Sequence, residues 1–123
     1  MPDGSPPAYA YVHLNVQGAL DYLGDTQALR GMLPTLCTTL GKDIPAISQL
    51  LDQGERHAAA RCLHSLKGFV PVFCHNDVAL ELEVVERLCR GTDASALDAA
   101  FAHVAPVLLA LADEAAHYLA QPG

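Results

Sequence analysis

Apolar residues recur in this chain at alternating steps of three and four over two long stretches. The first is Leu29, Leu33, Leu36, Leu40, Ile44, Ile47 and Leu51; the second is Leu97, Phe101, Val104, Leu108, Leu111, Ala115 and Tyr118. An α-helix turns once every 3.6 residues, so this spacing lays each set along one helical face. No segment shows convincing alternation every two residues, which a half-buried strand would need. An apolar helical stripe of this length must be covered, and the remaining segments supply the cover.

A short helix is expected from an Asn15 cap to Gly24, with Val16, Ala19, Leu20 and Leu23 apolar. Asp25 or Thr26 caps a second helix running to about Asp52. Gly54 breaks the chain, and a third helix from Glu55 carries Ala59, Leu63, Leu66, Val70 and Phe73 inward. Pro71 and the turn His75-Asn76-Asp77 close it. Asn76 is the expected cap of a fourth helix with Val78, Leu82, Val85 and Leu88 inward, ended by Gly91; Asp93 caps the fifth. Pro34, Pro45 and Pro106 fall inside the long stripes. Each removes one backbone hydrogen bond and should bend its helix without ending the stripe. The turns are short, which makes neighbouring helices antiparallel. The expected fold is all-α, an antiparallel up-down four-helix bundle with a short additional N-terminal helix. Residues 1–12, with three prolines and a glycine, read as a tail or linker from which Tyr9, Tyr11 and Val12 can pack back; residues 13–120 form the bundle.

The chain of 123 residues is one domain's worth, and with 51% hydrophobic residues it can build a core without a disulfide or metal. Cys37, Cys62, Cys74 and Cys89 form no CxxC pair and read as small hydrophobes of a reduced interior; Cys74, His75 and Cys89 fit no common zinc spacing. Seven basic against fourteen acidic residues give a net charge of −7, which disfavours nucleic acid and anionic membranes as partners. No basic-then-apolar leader is visible. The apolar run Ala99–Ala112, interrupted by His103 and Pro106, is short for a bilayer, so a soluble, cytoplasmic, monomeric domain is expected.

The segment Arg61-Cys62-Leu63-His64-Ser65-Leu66-Lys67-Gly68 carries the chemistry. Leu63 and Leu66 face the core, while His64 and Gly68, four apart, stack on the opposite face with Arg61 and Lys67 flanking them. An imidazole nitrogen is a good nucleophile near neutral pH, and a neighbouring ammonium can neutralise a transferring phosphoryl group. Glycine in mid-helix costs about 1 kcal/mol against alanine. Either close approach by another molecule or tight helix packing would account for Gly68. His57, seven before His64, lies on the same face, where it could line a docking surface with Arg61 and Gly68, and plain surface exposure is its default reading. His75 reads as a turn residue, and His13, His103 and His117 share no metal spacing. Glu81, Glu83 and Glu86 read as a solvated helix face.

His64-Ser65-Leu66-Lys67-Gly68 resembles the His-x-x-Lys-Gly signature of histidine-phosphotransfer (HPt) domains of bacterial two-component phosphorelays. Leu23-Gly24-Asp25, the long proline-containing helix and Leu50-Leu51-Asp52-Gln53-Gly54 are similar to that family too, over roughly residues 15–119. The resemblance implies a four-helix bundle with His64 as exposed phospho-acceptor, Lys67 as its basic neighbour and Gly68 as the small residue admitting a partner. It implies response-regulator receiver domains as partners, with a divalent metal on the receiver and no cofactor here. There is no P-loop or glycine-rich ATP segment, so a carrier is expected and not a kinase, whether alone or as a module of a hybrid sensor kinase. Where the family usually has small residues, this chain has Phe69, Pro71 and Cys74; Pro71 should end or bend the helix early, Phe69 and Phe73 add bulk near the docking surface, and Phe69 and Pro71 are expected to border it. Those substitutions motivate an alternative, an HPt-like interaction module that docks a receiver or other signalling protein without efficient transfer. A purely structural bundle with a chance motif is a third reading.

Overall fold

The structure, a computed structural model, describes residues 11–122. Five helices follow one another: α1 (Val16–Leu23), α2 (Thr26–Asp52), α3 (Arg56–Phe69), α4 (Asn76–Cys89) and α5 (Ala94–Ala120), with a 3-10 turn at Val70–Val72 between α3 and α4. Helices α2 to α5 pack in a ring, each against its chain neighbour and α5 back against α2; α1 lies on α2 and the 3-10 turn. This is the four-helix bundle with a short leading helix that the stripes predict. Most of the tail expected over 1–12 lies outside the described residues.

The stripes are the core. Leu29, Leu33, Leu36, Leu40, Ile44 and Ile47 of α2 meet Leu97, Phe101, Val104, Leu108, Leu111 and Ala115 of α5, all buried. Pro34, Pro45 and Pro106 sit inside unbroken helices. They point outward, where the bundle tolerates the lost backbone bond. By length and composition alone α5 is apolar enough to cross a membrane, which is weak evidence for a span in a helix that carries a bundle's core face.

The ends of the helices show how side chains replace missing backbone partners. Asn15, Asp25 and Asp93 cap α1, α2 and α5 by accepting N–H bonds from Gly18, Ala28 and Ala96 at 3.0, 2.7 and 2.9 Å. Gly24 and Gly54, at φ 103° and 75°, take the left-handed turns that follow α1 and α2. Asn76 is not the cap of α4 as expected. His75 holds that position without a side-chain bond, and the Val78 N–H is met by the Asp77 carboxylate at 3.0 Å. The inner stripe of α4 ends on buried Cys89, with Leu88 only half-buried.

Two arginines close C-termini. Arg30 donates to the carbonyls of Tyr118, Leu119 and Gln121 at the end of α5, and Arg56 to those of Leu88 and Gly91 at the end of α4. The segment before α1 is tied down twice. Asn15 N–H donates to Phe73 O and His75 N–H to His13 O, while Glu114 of α5 accepts the N–H groups of His13 and Leu14. These ties fix the turn that ends α3, and so the register of α3 against α4.

Candidate functional site

Helix α3 exposes one face and buries the other, as its spacing requires. Ala59, Ala60, Leu63 and Leu66 are buried; His57, Arg61, His64, Ser65 and Gly68 are exposed. The His64 side chain is 66% exposed. A Cβ added to Gly68 would meet nothing within 4 Å. Helix packing within the domain therefore does not require this glycine.

The site has a second layer that the sequence conceals. Glu86 of α4, expected on a solvated face, is buried at 5% exposure and is the one buried charged residue among those described. It lies four residues past Leu82 and one past Val85, so the α4 stripe turns it towards α3. One carboxylate oxygen, Oε2, lies 3.1 Å from His64 Nδ1 and accepts from Arg90 Nη2 at 2.9 Å. The other, Oε1, is 2.9 Å from Lys67 Nζ, an ion pair without well-aligned hydrogen-bond geometry. Lys67, expected to stand free beside the histidine, is thus only 34% exposed and leans on Glu86. Arg90 joins the site through its i, i+4 position from Glu86, a pairing visible in the sequence once Glu86 is known to face α3. Glu83 stays exposed, and Glu81 pairs with His103 at 3.2 Å away from this cluster.

Burial alone would raise the Glu86 carboxyl. The Lys67 ammonium, the Arg90 guanidinium and the His64 ring outweigh it and draw it down to about 2. A carboxylate at Nδ1 favours the tautomer with the proton on Nδ1, so that Nδ1–H donates to Glu86 and the lone pair sits on Nε2. Among the described residues none hydrogen-bonds Nε2. The arrangement offers an aimed, exposed nucleophilic nitrogen, with two cations within one side chain's reach. A shallow cleft of about 220 Å³ between Lys67, Glu83, Glu86, Arg87 and Arg90 continues this polar surface along α4.

A family model described as the Hpt domain matches residues 31–120. The chain belongs to the Hpt domain family. Hpt domains are helical phosphocarriers of phosphorelays, without kinase activity of their own, and they interact with receiver domains. No curated protein and no solved structure matches the chain.

In this Hpt domain the residues that looked out of place beyond Gly68 mostly turn inward. Phe69 is half-buried and meets the fully buried Phe73 edge-on, ring centres 5.1 Å apart. Cys74 is buried under the N-terminal segment, and its thiol is pushed up to about 11 by that burial. Pro71 is exposed and belongs to the 3-10 turn that ends α3. The expected bulk on the docking face is therefore corrected: Phe73 serves the core, and Phe69 is half-buried against it while lining a shallow groove beside Ser65.

Proposed function

We propose that this Hpt domain carries a phosphoryl group on Nε2 of His64, taken from a receiver-domain aspartyl phosphate and passed to a second receiver. The observation that carries this reading is the pinned ring: Glu86 engages Nδ1 at 3.1 Å while the side chain remains 66% exposed. The Nε2 lone pair attacks phosphorus in line, the N–P bond forms, and the P–O bond breaks with its electrons on the departing aspartate. Lys67 is close enough to exchange Glu86 for the phosphoryl oxygens and offset their charge. Gly68, one turn on, leaves the face low enough for a receiver's active site to reach the ring. His57, Arg61 and exposed Pro71 border that docking face, with Phe69 supporting it from beneath. The divalent ion of the reaction belongs to the receiver. The domain acts as a cytoplasmic monomer or as one module of a hybrid sensor kinase.

The burial of Phe73 and Cys74 supports transfer over mere docking, since neither reaches the surface around His64. The test is to mix the domain with phosphorylated receivers of its own organism and look for acid-labile, base-stable phosphate. The expected result is label on wild type and none on His64→Gln. A domain that binds a receiver but never acquires label would establish the docking module instead, and label persisting on His64→Gln would remove His64 from its role.

A further inference from the structure

Thr35, Thr39 and Asp43 of α2 recur at steps of four, so they stack along one edge of that helix beside the buried Leu36, Leu40 and Ile44. On α3, Ser65 and Phe69 are also four apart. The two edges line a groove of about 240 Å³, with buried Leu66 beneath. Phe69 forms an apolar wall of it and is braced by Phe73, ring centres 5.1 Å apart.

Asp43 is the odd member of this groove. It is half-buried, and among the described residues its carboxylate has no hydrogen bond or ion pair. Four of the chain's cations are engaged elsewhere: Arg30 and Arg56 close helix ends, while Lys67 and Arg90 hold Glu86. A carboxylate drawn partly out of water without a partner gives the fold little and stays available to another molecule. At about 240 Å³ the groove is smaller than a typical small-molecule pocket, which starts at about 300 Å³, and it suits a single side chain. An apolar visitor would cover Asp43 and leave it unpaired, at the cost of its hydration. A lysine or arginine satisfies both halves. Its methylene stem lies on Phe69 and Leu66 while its charged head meets Asp43, and the Thr39 and Ser65 hydroxyls can accept further N–H bonds from that head.

Ser65 follows His64 directly, so a side chain seated here lies beside the reacting residue. Helix α3 packs on α2 at one side and on α4 at the other. The face around His64 is therefore charged unevenly, with Asp43 towards α2 and Lys67, Arg87 and Arg90 towards α4.

We propose that the α2–α3 groove anchors a lysine or arginine side chain of the docking receiver, with Asp43 as its counter-ion and Phe69 as its apolar wall, and that this pairing selects which receivers the domain serves. This rests on the carrier reading above. The phenylalanine that replaces a small residue is then a specificity feature, because a smaller side chain would remove the wall on which the stem lies.

Docking and transfer are measured with a receiver of the same organism for wild type, Asp43→Asn, Asp43→Lys and Phe69→Leu. Asp98→Asn on α5, which packs on α2 and α4 across the bundle from α3, is the matched loss of charge away from the groove. A charge pair half out of water falls between the exposed and buried cases, so Asp43→Asn should raise Kd about tenfold and Asp43→Lys about a hundredfold. Phe69→Leu, which stays apolar but loses the ring, should cost about threefold. Asp98→Asn should stay within about twofold, its charge being screened at that distance. In transfer the defect should fall on KM, with the rate at saturation within about twofold, since Asp43 acts on docking and not on the ring. Alanine substitution of each exposed Lys and Arg of the receiver should find one whose loss no longer matters in Asp43→Asn. Replacing that residue by Glu should bring Asp43→Lys back to within about threefold of the native pair. Equal Kd for wild type and Asp43→Asn, a defect in Phe69→Leu alone, which would mean an apolar visitor, or additive effects for every receiver cation would each overturn the proposal. A receiver that binds but never exchanges phosphate would sink the carrier reading alone, because the Kd series would still decide this one. Binding by no receiver would overturn both.

Discussion

Among the carboxylates that reach across this bundle, Glu86 from α4 and Glu114 from α5 have partners that differ in kind. Glu114 accepts two backbone N–H bonds, from His13 and Leu14, each at 2.9 Å. Backbone donors have nowhere else to go unless the chain unfolds locally, so this contact is fixed and holds the N-terminal segment in place. Glu86 is gripped by the tips of His64, Lys67 and Arg90, all of them partly exposed and able to leave for water or for an incoming phosphoryl group. A carboxylate bound by backbone serves the fold. One bound by mobile cations stores charge that can be re-partnered during a reaction.

The sharpest way to break this comparison is to remove the fixed partner. Glu114→Ala strands two N–H groups at about 1–2 kcal/mol each, so chemical denaturation should show a loss of about 2–4 kcal/mol. Transfer measured well below the new midpoint should change less than about twofold. A large transfer defect in the folded variant would mean the two carboxylates are not separable. Lys67→Ala should do the reverse. A charge-assisted contact worth about 1.5–3 kcal/mol corresponds to transfer about ten- to a hundredfold slower. Stability should move by less than about 1 kcal/mol, since the ion pair is partly solvated.

Gly68→Ala sharpens the contrast with opposite signs. The added methyl meets nothing in the domain, so the melting temperature should rise in line with about 0.5–1 kcal/mol of helix propensity. Exchange with receivers should slow. An unchanged rate would show that the partner does not approach there. A further effect, confined to low pH, is on acid stability. The Glu86 carboxyl sits near 2 in the fold against an ordinary 4.5, so the unfolded chain binds the extra proton first. Its stabilising contribution is complete above about pH 4.5 and is lost as the pH falls towards 2. Subtracting the melting curve of Glu86→Gln from that of wild type across this range should isolate that slope.

The helices and their faces were legible because apolar spacing is a local property: Leu29 to Leu51 and Leu97 to Tyr118 announce themselves at three- and four-residue steps. The exposed row of His64 and Gly68 followed from the same geometry. Glu86 did not, because an acidic residue in a helix defaults to solvent and its reason for burial lies 22 residues away, on another helix. Arg30 and Arg56 were missed for the same reason, since each caps a helix end far along the chain. Phe69 and Cys74 looked like departures because the family usually has small residues at their positions. Instead Phe69, at the end of α3, meets Phe73, and Cys74, just past the 3-10 turn, is buried beside Leu14. Pairings between helices are set by packing, which periodicity within one helix does not encode.

The central claim concerns one nitrogen atom, and it is most directly tested on ¹⁵N-labelled domain phosphorylated by a receiver. Phosphorus–nitrogen coupling in the NMR spectrum reports which ring atom is bonded. The account predicts coupling to Nε2 of His64, with Nδ1 of the same ring still carrying its proton. Coupling to Nδ1, or to any of the other five histidines among the six in the chain, would contradict it.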